Sequence, residues 1–206
     1  MSTIEGWNLV AMPPWPAPQT IEWSIVDNDG ISVSPFNNKQ QVYDWGHAHM
    51  EASLTYPPLT RAQAFRFWSF LMACRGRLAV FKFGDPLALG PQGNAAGTPV
   101  LNSGVTQAGF ELATTGWTPN AAGVLLAGDW LQVGSHLNCV TADGNADSDG
   151  KCVLSVWPNV REDAVGAAAV VLHSPVGIWR LKSNLRKWSE NVELTYGFQF
   201  EIMEAL

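Results

Sequence analysis

The sequence predicts a mainly β protein in two parts: a β domain with a single α-helix, and a small β-barrel or sandwich inserted into it. Three observations carry this. A single well-bounded helix signal stands among segments that alternate like strands. A Gly/Pro/Asn/Ala stretch, Leu89 to Pro99, interrupts the pattern, and strand-like alternation resumes after it. The charge balance also shifts there: residues 1–89 hold six Lys/Arg and seven Asp/Glu, residues 90–175 two and seven, and residues 176–206 four and four.

The first strands are expected at Gln19–Val26 and Ile31–Ser34, joined by a hairpin turn at Asp27-Asn28-Asp29-Gly30, because Asn, Asp and Gly tolerate the positive φ such turns need. His47–Tyr56 follows as a strand, which Pro57-Pro58 ends because proline lacks the ladder donor. The helix is expected over residues 60–74. Thr60 and Gln63 form a capping box. Ala64, Phe67, Trp68, Leu71 and Met72 make one apolar face, which Phe65 and Phe70 widen. Arg75 in the last turn complements the helix dipole, and Gly76 supplies a left-handed C-cap. Leu78–Phe83 is a strand broken by Gly84-Asp85-Pro86.

The inserted part, residues 90–175, carries short strand signals at Val100–Leu101, Phe110–Leu112, Gly123–Leu126, Trp130–Val133, Leu137–Thr141, Cys152–Val156 and Ala168–His173. Turns fall at Ala127–Asp129 and Asp143–Gly150. After Pro175 come Ile178–Leu181 and Val192–Ile202. In the latter, Leu194, Tyr196, Phe198, Phe200 and Ile202 share one face, which needs a sheet partner. Residues 1–89 and 176–206 therefore read as one discontinuous domain, and 90–175 as its insertion.

Composition narrows function. Only 15% of the 206 residues are charged, and ten are tryptophan, so partners are expected to cover much of the surface. A net charge of −6 argues against a broad basic surface for duplex nucleic acid. No apolar run approaches the roughly 18 residues of a membrane span, and the N-terminal residues lack a signal peptide's basic and apolar regions, so no membrane anchoring is expected. Cys74, Cys139 and Cys152 fit thiols in a reducing compartment, although Cys139 and Cys152 could face each other across a hairpin.

Chemistry-bearing motifs are sparse. Asp143 to Gly150 looks like a calcium loop, but the EF-hand's sixth-position Gly and twelfth-position Glu are not met together in any frame, which favours a solvated acidic hairpin tip. His47 and His49 share a strand face with Glu51, yet no full ligand set accompanies them. The chain has no GxSxG, P-loop, GxGxxG or HExxH. No catalytic residue, metal site or cofactor is assigned, and no enzymatic activity is expected. Arg75 and Arg77 either hold an anion or cap the helix and pair with a neighbour.

The run PPLTRAQAFRFWSFLMACRGRLAVFKFGDP, residues 57–86, resembles a family of distal tail or tail-tip (baseplate) proteins of long-tailed, siphovirus-like phages and prophages. Gly116-Trp117, residues 126–134 (LAGDWLQVG), residues 156–161 (VWPNVR) and the closing residues 196–201 (YGFQFE) fit in order, so the resemblance covers roughly residues 20–205. It implies a tail-tube-like β-sandwich with one flanking helix and an outward β-domain. It also implies a virion structural role: a homo-oligomeric ring, commonly a hexamer, joining the tail tube protein to the tip or hub protein, with the tape-measure protein a further partner. The ring would be located in the virion tail after assembly in the host cytoplasm, with DNA passing only through its lumen, whose wall would be neutral or acidic.

Trp15, Trp45 and Trp188 fall outside the strongest core patterns and, with Arg75 and Arg77, are candidate interface residues. A second reading is a host-surface carbohydrate-binding module, with Trp117, Trp130 and Trp157 offering faces to sugar rings; the competing role for these three is core packing. A third is an enzyme acting on cell wall, for which no local motif speaks.

Overall fold

The computed structural model describes residues 2–4, 6–161, 164–190 and 195–206. Val192 and Leu194 of the expected final strand lie outside them. The fold is mainly β, with one short helix and a nearly closed six-stranded, barrel-like sheet. Among the described residues, no helix is long and apolar enough to cross a membrane.

The elements in chain order are β1 (Ser2–Ile4), β2 (Trp7–Leu9), β3 (Thr20–Val33), β4 (Gln40–Thr55), α1 (Arg61–Ala73), β5 (Ala79–Phe83), β6 (Gly97–Leu101) and β7 (Glu111–Trp117). Then follow β8 (Trp130–Val133), β9 (His136–Val140), β10 (Lys151–Trp157), β11 (Val170–Val171), β12 (Gly177–Leu181), β13 (Trp188–Glu190) and β14 (Tyr196–Glu204). One sheet runs β1-β2-β5-β12-β14-β4-β3, with β13 also on β14; the other runs β11-β8-β9-β10-β7-β6.

Two compact units result. One holds residues 1–24, 50–87 and 176–206; the other holds residues 25–49 and 88–175. The sequence reading placed residues 25–49 in the first part, whereas they fall with the second. The division lies inside the long strands β3 and β4.

In the first unit, α1 covers one face of the sheet. Ala64, Phe67, Phe70 and Leu71 are its buried residues. Phe67 meets Tyr56 and Phe198, and Phe70 meets Phe81 and Phe200, with ring centroids 4.5–6.3 Å apart. Each such aromatic contributes roughly 1.5–3 kcal/mol by burial. Met72, expected on this face, is 62% exposed, because the buried stripe follows positions 64, 67, 70–71 and 74. At the helix start, Gln63 Oε1 accepts both the Thr60 amide and hydroxyl at 2.9 Å. At the end, Arg75 takes φ 49° and Gly76 φ 74°. The cation at this end comes from elsewhere: Arg186 Nη1 donates to Leu71 O at 2.7 Å, while Arg75 lies past the last turn. The strand β14 buries Tyr196, Phe198, Phe200 and Ile202 and exposes Gln199 and Glu201, the alternation expected from its sequence.

The second unit's barrel encloses Leu101, Leu112, Trp117, Leu131, Val140, Leu154 and Val156. It nearly closes where Leu101 N–H donates to Ala168 O at 2.8 Å and Val100 bridges Ala169. Gly123–Leu126, expected as a strand, is irregular apart from a Leu125 bridge to Gly144. Asp129 is buried at 3% exposure, and its carboxylate accepts backbone N–H bonds from Gln92 (2.7 Å), Gly93 (3.2 Å) and Leu126 (2.8 Å). One charged side chain thus ties the entry linker to the turn before β8.

The acidic loop's side chains are satisfied by backbone donors of the loop and of residues 123–127. Asp143 accepts from Ala127 N–H, Asn145 from Gly123 N–H, and Asp147 from Asp149 and Lys151 N–H. These backbone bonds, with Lys151 Nζ close by, hold the Asp147 carboxyl below its usual range. The described residues contain no group of three His, Cys, Asp or Glu placed to share a metal ion. The three thiols are free. Cys152 lies in the barrel core opposite Thr114, and Cys139 is paired across strands with Trp130 and Trp157, so the two do not face each other.

Candidate functional site

The largest departure from the expected strands is the site of most interest. Asp27–Gly30 is not a turn. It lies inside β3, which runs unbroken for 14 residues beside the 16-residue β4. The reversal occurs at residues 34–39: Ser34 N–H donates to Lys39 O at 2.9 Å, Asn38 N–H to Ser34 O at 3.0 Å, and Asn38 takes φ 53°. Gly30 sits mid-strand, with the Trp45 ring 3.4 Å from where a Cβ would stand, an ordinary packing distance. The result is a β-hairpin arm over residues 25–47.

The arm is held at its base. Along β4, the strand β14 pairs Thr55 to Glu51 and then ends. Glu204 Oε2 accepts the Met50 N–H at 3.4 Å. Asn159 Oδ1 accepts the Ala48 N–H at 3.2 Å, and Arg161 Nη2 donates to Ala48 O at 2.6 Å. Arg161 Nη1 also donates to Asn159 Oδ1 at 3.0 Å, which locks the two side chains together. Trp157 Nε1 donates to Asp27 Oδ1 at 2.9 Å on the other strand of the arm. Pro158 O accepts from the buried Asn138 Nδ2 at 2.9 Å, which anchors the segment in the barrel. Residues 157–161 thus act as a clasp that satisfies both backbone groups of the buried Ala48.

Beyond the clasp, every residue of β4 from Gln40 to His47 is exposed. Ile25, Ile31, Val33, Val42, Tyr43 and Trp45 are 46–70% exposed, and Phe36 at the tip is 95% exposed. An isolated two-stranded ribbon is marginal in water, and a contiguous apolar surface of this kind marks an interaction site.

A second surface lies within the first unit, beside the C-terminal end of α1. The loop Lys182–Lys187 packs there: Arg77 Nε donates to Lys182 O at 2.7 Å, and Arg77 N–H to Asn184 Oδ1 at 3.3 Å. Lys182 pairs with Glu51 at 2.6 Å and lies 3.8 Å from Glu201, and the Glu51 hydrogen bond raises the lysine's pKa. The loop and β14 bound an open groove of about 670 Å³ whose lining includes Leu185, Arg186, Lys187, Trp188, Gln199 and Glu201. From Val176 to Ser189 the chain carries four cations and no carboxylate.

The sequence-predicted residues distribute unevenly. Trp45 lies on the arm, 61% exposed, and Trp188 borders the groove, 42% exposed and 5.0 Å from the Trp68 ring. Arg77 braces the basic loop, and Arg75 is exposed next to it in sequence. Trp15 is 69% exposed and belongs to neither surface. Trp117 is corrected as a sugar platform: its ring is 3% exposed in the barrel core, with Nε1 donating to Thr114 Oγ1 at 2.8 Å. Trp130 and Trp157 are half-buried on the outer face of the barrel, flanking Cys139. Sequence reasoning places Asp27 in a turn and singles out none of Asn138, Asn159 and Arg161; the one sequence signal for Asn159 and Arg161 is that residues 156–161 belong to the family resemblance.

No family model matches the chain, and no curated protein matches it.

Proposed function

We propose that the chain is a structural subunit of a phage tail tip, forming a ring that joins the tail tube to the tip or baseplate hub. The ordered resemblance over roughly residues 20–205 supports this. So does the mainly β architecture, with a single helix on a sheet and a separate barrel-like unit. In this reading the first unit is the tail-tube-like β-sandwich, most often hexameric in such rings. The barrel unit decorates the outside or meets tip proteins, and DNA only transits the lumen. The observation that carries the reading is the arm: a clasped hairpin whose apolar residues are left exposed over most of its length is built to be covered by other protein. Negative-stain electron microscopy of the purified protein and of tails tests it. Annular particles, and the protein within virions, are expected; a strictly monomeric protein absent from virions overturns it.

A carbohydrate-binding role for the barrel unit has one observation in its favour, Trp130 and Trp157 on its outer face, set on either side of Cys139 on the strand between them. Glycan-array binding by the whole chain, lost in Trp130→Ala, is its expected signature. An array without binding rejects it.

A further inference from the structure

The arm and the groove carry opposite charge, and both expose apolar side chains. The arm carries Asp27, Asp29 and Asp44 against the single cation Lys39, and it ends in the exposed Phe36. The groove is bordered by Arg186 and Lys187 against the single carboxylate Glu201, with Leu185 68% exposed and Trp188 42% exposed as apolar surface. Opposite charge and exposed apolar surface on two distinct patches of one chain are what a head-to-tail contact between copies requires. Contacts of this kind build rings when the rotation closes and filaments when it does not.

We propose that the hairpin arm of one copy docks in the Arg186–Lys187–Trp188 groove of a second copy, with Phe36 as its apolar anchor and Asp29 facing the basic rim. This rests on the ring-forming reading above and specifies the contact that makes the ring. The clasp on Ala48 serves it by presenting the arm in one orientation, which lowers the ordering entropy lost on docking. The basic rim favours the acidic arm and disfavours docking by any basic segment, so the contact is directional.

The test uses the full chain and reads mass by light scattering and native mass spectrometry. Phe36→Ala, Asp29→Lys and Lys187→Glu change exposed side chains, and circular dichroism checks that each variant folds. Each is expected to weaken assembly at least tenfold, and high salt is expected to weaken the wild type. The decisive step is mixing. Each charge variant alone sets like charges against each other at the contact, whereas in a mixture the Asp29→Lys arm meets the Lys187→Glu groove and the unchanged arm meets the unchanged groove, so assembly of the two in alternation is expected to recover. A Phe36→Cys, Leu185→Cys double variant is expected to cross-link between chains under oxidation. If the wild type assembles while the charge variants assemble unchanged and no interchain cross-link forms, the docking proposal fails and the ring reading survives. If the wild type stays monomeric at every concentration, both fail.

Discussion

Removing Arg161 should release the base of the arm. Its guanidinium donates to Ala48 O at 2.6 Å and to Asn159 Oδ1 at 3.0 Å, and Ala48 is only 2% exposed, so no bulk water replaces the lost donor. A charge-assisted hydrogen bond contributes about 1.5–3 kcal/mol, and the carbonyl left buried adds to the loss. Arg161→Ala is therefore expected to destabilise the protein by about 2–3 kcal/mol, roughly 5–10 °C in Tm for a chain of this size. Asn159 gives an internal control. Its Oδ1 accepts two bonds, so Asn159→Asp keeps both acceptors and adds an ion pair with Arg161, whereas Asn159→Leu leaves the Ala48 N–H buried without its acceptor. Asp is expected within about 1 kcal/mol of wild type and Leu about 2 kcal/mol below it. Urea denaturation gives the free energies, and hydrogen exchange at Ala48 and its β4 neighbours localises them. If Arg161→Ala changes stability by less than about 0.5 kcal/mol and leaves Ala48 exchange unaltered, or if Asp is as harmful as Leu, the clasp does not hold the arm.

Asp129→Ala leaves three backbone donors without their carboxylate and is expected to cost about 3 kcal/mol or more; near-ultraviolet circular dichroism of the barrel tryptophans during urea melts follows it, and a loss below about 1 kcal/mol would remove Asp129 as the pin of the linker. Burial pushes the Cys74 thiol up to about 11, against a smaller opposing effect of Arg186, and raises Cys139 and Cys152 as well. The buried Cys74 and Cys152 should react slowly with a disulfide reagent at pH 8 and rapidly in urea; fast native labelling of either would contradict their burial. Lys182 has its pKa raised chiefly by the Glu51 hydrogen bond, so this contribution is fully present below the ordinary lysine pKa near 10.4 and is lost as pH rises through the higher folded value. Stability from this pair should be flat between pH 6 and about 9 and fall only in alkali, a fall that Glu51→Gln flattens in pH-dependent melts.

Elements fixed by their own residues were legible before the fold. The helix followed from Thr60, Gln63 and the Ala64–Phe67–Leu71 spacing, and the Gln63 contact with Thr60 is present. β8 lies at Trp130–Val133 as expected, and β14 alternates because each of its faces meets a different environment. Asp27-Asn28-Asp29-Gly30 carries a strong local turn signal, but residues 35–39, with Asn37 and Asn38, carry a competing one. A long-range contact favours the second, the Trp157 bond to Asp27 that holds the first site in extended strand. The same holds for the tryptophans. Composition shows that ten exist, and only packing separates the buried Trp117 from the exposed Trp45 and Trp188.

By itself, then, the sequence determined a mainly β chain, one capped helix, a compositional break near residue 89 and an acidic insertion, since these follow from local propensity and spacing. Tertiary structure decided that residues 25–49 leave the first unit to form a clasped arm with the second. Asn159 and Arg161 reach Ala48 across more than a hundred residues. A hydrogen bond between positions so far apart leaves no periodicity to read, because it depends on where two folded elements bring their side chains and not on what either segment prefers alone.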